Sequence, residues 1–113
     1  MEHKDVFILE DIIRYCDLTA DAVNEYGDTL ESFKSNIFFQ EVCAFHAIQI
    51  GELANALSDN FTSRHPEIPW LAVIGLRNNI AHEYGNIEID SLWETVTEDL
   101  PGLRDFCAKQ IGK

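Results

Sequence analysis

Apolar residues recur at steps of three and four through most of the 113-residue chain, and that spacing is the signature of amphipathic helices. Leu9, Ile12, Ile13, Cys16, Ala20 and Val23 predict a first helix over Asp5–Tyr26, with Gly27 as its stop. Residues 27–36 read as a connection holding one short turn. A second helix is expected over Phe38–Ser58, with Cys43, His46, Ile50, Leu53 and Leu57 as its stripe and Phe39, Val42 and Phe45 widening the first half. Asp59–Pro69 reads as a polar loop, and Pro69 suits the first position of a third helix. That helix would carry Trp70, Val73, Ile74, Leu76, Ile80 and Ala81 and end near Tyr84-Gly85-Asn86. A fourth would start at Asp90 as N-cap and carry Trp93, Val96, Leu100, Leu103 and Cys107. Pro101 predicts a break or kink near Thr97–Leu100. No stretch alternates long enough to be a strand. The expected fold is an all-α, up-and-down bundle of four to five helices in a single domain spanning 1–113.

The second helix is unusual in what it lacks. No lysine or arginine lies between Ser35 and Ser63, so much of its surface must be covered, either centrally in the bundle or at a subunit interface. With 46% hydrophobic residues the chain is no disordered polymer. No apolar run approaches the ~20 residues of a membrane span, and the first residues lack the basic-then-apolar order of a signal peptide. Cys16, Cys43 and Cys107 are odd in number, form no C-x-x-C pair and fall on apolar faces, as buried reduced thiols do. The expected setting is cytoplasmic.

Twenty acidic residues against eight basic ones give a net charge of −12. Such a field repels phosphate and anionic lipid alike. Residues 1–31 alone hold nine carboxylates against Lys4 and Arg14. They read first as a solvated outer helix face and second as a docking surface for a basic partner.

Metal chemistry finds no ligand set: His3, His46, His65 and His82 form no H-E-x-x-H, and no cysteines pair. His46 sits on an apolar stripe and reads as a satisfied interior or interface histidine; His3 and His65 read as surface residues. One segment stands out, Ile74-Gly-Leu-Arg-Asn-Asn-Ile-Ala-His-Glu-Tyr84, because Arg77 is the sole Lys or Arg between Arg64 and Arg104. On a continuing helix Arg77 and Tyr84 share a face, and the Asn78 amide could orient His82 four residues on. Arg77 and His82 differ by about 140° at ~3.6 residues per turn, so they would flank a groove. A permanent guanidinium fork and an imidazole that titrates near neutrality suit work on one phosphate. The same residues also suit capping and surface roles near a helix end, and spacing alone leaves both readings open.

Arg77-x-x-x-x-His82-x-Tyr84 resembles the R-x-x-x-x-H-x-Y motif of the HEPN superfamily, in particular its HepT-like branch. Ile50-Gly-Glu-Leu-Ala54, Ile68-Pro-Trp70, Ile74-Gly-Leu-Arg-Asn78, Leu92-Trp-Glu94 and Asp99-Leu-Pro101 fall in that branch's order and spacing, so the likeness spans essentially the whole chain. The resemblance implies a HEPN-like helical domain whose homodimer sets two motifs across one cleft. It also implies the toxin of a type II- or VII-like toxin–antitoxin pair: a metal-independent endoribonuclease that needs no cofactor. The implied partner is an MNT-type nucleotidyltransferase antitoxin, which silences the toxin by adenylylating Tyr84.

Carried over by position, His82 acts as general acid or base on RNA. Arg77 holds the scissile phosphate and stabilises its developing charge, and Asn78 positions His82 or substrate. An AMP group on Tyr84 would fill the cleft and occupy Arg77. The rival is a non-catalytic HEPN module that binds a nucleotide or docks a nucleotidyltransferase. The acidity of the chain favours the module, and the intact Arg77, His82 and Tyr84 favour the enzyme.

Overall fold

A computed structural model describes residues 1–80 and 88–113. Among these residues every regular element is helical: α1 (His3–Tyr26), α2 (Leu30–Lys34), α3 (Ile37–Asn55), α4 (Asp59–Arg64), α5 (Trp70–Ile74), α6 (Leu76–Ile80), α7 (Ile89–Glu94), a π-helical turn (Thr95–Asp99) and α8 (Leu100–Gln110). The expected all-α fold is what forms. No described helix is long and apolar enough to cross a membrane.

Helix α3 is the spine. Its inner face enters two clusters in succession, first Phe39, Cys43, Ala44 and Ala47 with Phe33, Ile80 and Leu92. Further along, Ile50 and Ala54 join Leu9, Ile12, Leu57, Trp70 and Cys107. Helix α1 lies along one side of α3 and α5–α6 along another, while α8 closes over α1. Phe33 meets Phe39 edge-on at 4.8 Å and Trp93 at 4.9 Å, which fastens α2 and α7 to the first cluster. This inner face explains part of the missing charge along α3, as expected for a central helix.

Boundaries follow local chemistry. Helix α1 stops at Gly27, whose φ of 122° suits glycine alone. The short turn expected in 27–36 is α2, capped reciprocally by Thr29 and Ser32. The expected loop Asp59–Pro69 is corrected, because α4 occupies its first half. Ser58 caps that helix by accepting from the Phe61 amide at 3.1 Å, and Phe61 is buried. The expected third helix starts one residue late, at Trp70 behind Pro69, and is interrupted at Gly75. Its predicted end near Tyr84–Asn86 lies outside the described residues.

Asp90 is not the N-cap. Glu88 holds that place without a side-chain bond, and Asp90 sits in the first turn, 3.7 Å from Lys34. The break foreseen near Thr97–Leu100 is the π turn. Pro101 has no amide proton for the Thr97 carbonyl, and the wider turn relieves the ring's clash without ending the helix.

Two polar groups are buried against expectation or in accord with it. Asp5, read from sequence as part of a solvated acidic face, is 1% exposed. It accepts from the Ser58 amide at 2.9 Å and the Ser58 hydroxyl at 2.6 Å, joining the start of α1 to the start of α4. His65 is likewise no plain surface residue, since its ring packs against Phe61 at 4.6 Å and Phe106 at 5.2 Å. His46 is the satisfied interior histidine expected. Thr19 spends its hydroxyl proton on the Tyr15 carbonyl at 2.8 Å, so Nδ1–H of His46 donates to Thr19 Oγ1 at 2.9 Å. The three cysteines are free and buried. Burial pushes each thiol up to about 12, with Cys107 and Asp17 adding to the effect at Cys16.

Two stability measurements test these contacts. Asp5→Ala leaves the Ser58 amide and hydroxyl without their acceptor, and urea unfolding should show a loss of about 1–3 kcal/mol. An unchanged midpoint would contradict the clamp. His46 is held below its ordinary value of 6.5 by burial first and by Arg14 second. The unfolded chain therefore takes up the proton first on acidification, and stability rises with pH across that window. The contribution is complete above the unfolded value and lost as pH falls through the folded one. Thermal melts between pH 7 and 5 should accordingly fall more steeply for the wild type than for His46→Asn.

Candidate active site

Arg77 is placed by what lies beneath it. Leu76 and Ile80, one turn apart on α6, are buried, whereas Arg77, Asn78 and Asn79 between them face outward. Upstream, Trp70 is buried and its indole N–H donates to the His65 carbonyl at 2.9 Å, which fixes the start of α5. Hydrogen bonding runs through the interruption: the Gly75 amide donates to Leu71 at 2.9 Å, and the Asn79 amide to Gly75 at 3.1 Å. Arg77 thus rides on a stretch held at both ends.

Gly51 sets the distance between α3 and this stretch. A Cβ there would lie 3.0 Å from the Val73 carbonyl oxygen and 3.2 Å from that of Ile74. A methyl there would fit only if those carbonyls gave by a few tenths of an ångström, so the two backbones approach closely. The next residue, Glu52, then faces Arg77, and the guanidinium Nη1 donates to its Oε1 at 3.2 Å. Both side chains are more than half exposed, at 67% and 51%. Exposed pairs of this kind contribute about 0–1 kcal/mol, so the contact orients more than it stabilises.

The sequence reading assigned Glu52 no role. A signal existed, since Glu41 and Glu52 are the only charged residues of α3. Asn78 is exposed beside Arg77. His82 and Tyr84 lie outside the described residues, and with them the expected Asn78–His82 contact and the shared face of Arg77 and Tyr84.

Glu52 also ends a second feature. Ile37, Phe38, Val42 and Phe45 are exposed on α3, Phe38 by 71% and Phe45 by 54%. Positions 38, 42, 45, 49 and 52 step by four and three, so one face of α3 runs from the apolar Phe38, Val42 and Phe45 past the half-buried Gln49 to Glu52. Phe45 meets Tyr15 edge-on at 6.2 Å, and Arg14 lies over the Tyr15 ring at 4.5 Å.

A groove of about 530 Å³ adjoins the other side of α5–α6. Its floor includes Ile68, Pro69, Val73, Leu76 and Leu103, and Glu98 and Asp99 stand at its rim. With carboxylates and no cation among its lining residues it would repel a phosphate, so an anionic substrate belongs on the Arg77 side. Among the described residues, no three His, Cys, Asp or Glu side chains gather as a metal site requires. The arrangement offers a guanidinium fork, polar amides beside it and an apolar face next to it.

Replacing Gly51 with alanine should force the α3 and α5 backbones apart. Overpacking against fixed carbonyls costs about 1–3 kcal/mol, readable as a lowered urea midpoint. A variant as stable as the wild type would show that the approach is not tight.

Comparison with known proteins shows the family. The family model described as ribonuclease HepT-like matches residues 8–110. A protein of Thermococcus cleftensis named "Probable ribonuclease HepT" is 32% identical over 105 residues, covering 90% of this chain and 89% of its own. A "Putative RNase" of Caldanaerobacter subterraneus subsp. tengcongensis is 27% identical over 95 residues, covering 84% and 83%. No solved structure matches the chain. The motif-bearing helix and its partner helix both fall within the matched residues, and the chain belongs to the HepT-like ribonuclease family.

Proposed function

We propose that the protein is a metal-independent endoribonuclease that works as a homodimer and serves as the toxin of a toxin–antitoxin pair. The observation that carries this reading is the outward-facing Arg77, the sole Lys or Arg from residue 65 to 103, held on α6 inside a chain of HepT-like ribonuclease sequence. In the reaction the RNA 2′-oxygen attacks the adjacent phosphorus and the 5′-oxygen leaves, giving a cyclic phosphate and a 5′-hydroxyl. His82 removes the 2′-proton or protonates the leaving oxygen, Arg77 binds the phosphoryl oxygens and their added charge, and Asn78 positions His82 or the substrate.

One histidine cannot act as base and acid in the same instant, and a second copy supplies the other. The exposed stripe from Phe38 to Phe45 supports that pairing, because it is apolar and leads to Arg77. Two guanidiniums would then share one cleft and create a locally positive site on an acidic protein. Regulation follows the family motif: transfer of AMP to Tyr84 by an MNT-type nucleotidyltransferase would add a phosphate and an adenine seven residues from Arg77 in the sequence. Three free, buried thiols fit a cytoplasmic enzyme.

A binding module without catalysis remains the second reading, favoured by the net charge of −12. Cleavage separates the two. Arg77→Ala and His82→Ala should each lower the rate by about 100-fold or more, with the folded fraction unchanged by circular dichroism. Full cleavage by both variants would end the ribonuclease assignment. Phe45→Glu should yield a monomer in sedimentation and lose activity with it. Intact mass after coexpression with a neighbouring nucleotidyltransferase should show added AMP that Tyr84→Phe abolishes.

A further inference from the structure

We infer that Glu52 is a positioning residue for catalysis, aiming the Arg77 guanidinium at the scissile phosphate; the inference rests on the ribonuclease reading above. An exposed arginine samples many rotamers, and each departure from the productive one lowers the rate. Glu52 narrows that choice from a neighbouring helix. Its own place is set by backbone, since Gly51 lies flush against the Val73 and Ile74 carbonyls and Arg77 follows Ile74 by about one helical turn.

The pair leaves the guanidinium available. Glu52 Oε1 engages Nη1 alone, at 3.2 Å, and an arginine presents five N–H donors. One nitrogen is tethered while other donors can meet phosphate oxygens, which two parallel N–H groups match well. Being 51% exposed, Glu52 stays in water and does not hold Arg77 as a buried partner would. It also sits at the end of the apolar stripe of α3. Pairing of two copies along that face brings both Glu52–Arg77 pairs to the edge of the interface and ties dimer geometry to the aim of the guanidinium.

Positioning makes a prediction that simple structural support does not. Removing a carboxylate beside Arg77 leaves the site more positive, so RNA should bind as well or better while turnover falls. Steady-state cleavage of a fluorophore–quencher RNA oligonucleotide by the full chain tests this. Glu52→Ala should lower kcat about 2- to 5-fold with KM unchanged or reduced, and its melting temperature should stay near that of the wild type. Glu52→Gln keeps an oxygen acceptor for Nη1 and should recover most of kcat. A kcat for Glu52→Ala equal to or above the wild type would overturn the inference, as would a loss confined to a raised KM. So would a Glu52→Gln variant as slow as the alanine variant. A wild type that does not cleave, or an Arg77→Ala variant that cleaves fully, would overturn the ribonuclease reading and this inference with it.

Discussion

At Gly51 the backbone of α3 lies so close to the carbonyls of Val73 and Ile74 that even a methyl would crowd them. Much of the molecule is organised around that approach. It seats α5 against the spine, so that Trp70 enters one cluster while Leu76 and Ile80 enter the other. It also decides which α6 residues are left outside. With Leu76 and Ile80 turned inward, helical geometry sends Arg77, Asn78 and Asn79 to the surface. A larger residue at 51 would shift α5–α6 as a unit, and the arginine would move with it. The place of Arg77 is thus set by a packing contact in which its own side chain takes no part.

Charge raises a harder question, because a chain of net charge −12 must attract RNA to one place. The distribution answers part of it. Acidic side chains crowd α1, whereas α3 carries only Glu41 and Glu52. Among the described residues, the surface around Arg77 carries Asn78 and Asn79 beside it and a single carboxylate, Glu52, paired with it. At an ionic strength near 0.15 M, charges beyond roughly 8 Å are largely screened. A local guanidinium then outweighs a distant acidic helix. The groove lined by Glu98 and Asp99 has carboxylates and no cation among its lining residues, so it disfavours an anionic substrate.

How much of this could be read beforehand depends on the range of each interaction. The helices and the segment around Arg77 were legible because apolar periodicity and helix stops are local. The π turn was legible through Pro101, which acts on its own preceding turn. Contacts between distant residues were not. Asp5 and Ser58 are 53 residues apart, and nothing in residues 1–31 marks one carboxylate as buried among eight others that are not. Glu52 and Arg77 are 25 apart and meet only because Gly51 allows it. The helix α4 hid in a polar stretch because a single aromatic, Phe61, anchors it. His82 and Tyr84 lie outside the described residues, so their part of the site still rests on the motif and the family.

The exposed stripe on α3 is the physical argument for the proposed dimer. Phe38 and Phe45 together present two aromatic side chains to water on a helix without a single cation, and burial of apolar area yields about 25 cal/mol per Å². Two such copies also repel, since each bears the same net charge, and the exposed Glu41 beside the stripe adds to that opposition. Apolar burial would have to outweigh it. In the proposed homodimer, coverage of Phe38, Val42 and Phe45 would supply the free energy of association, and Glu52 and Arg77 would stand toward the seam. Association and assembly of the active site would then be one event.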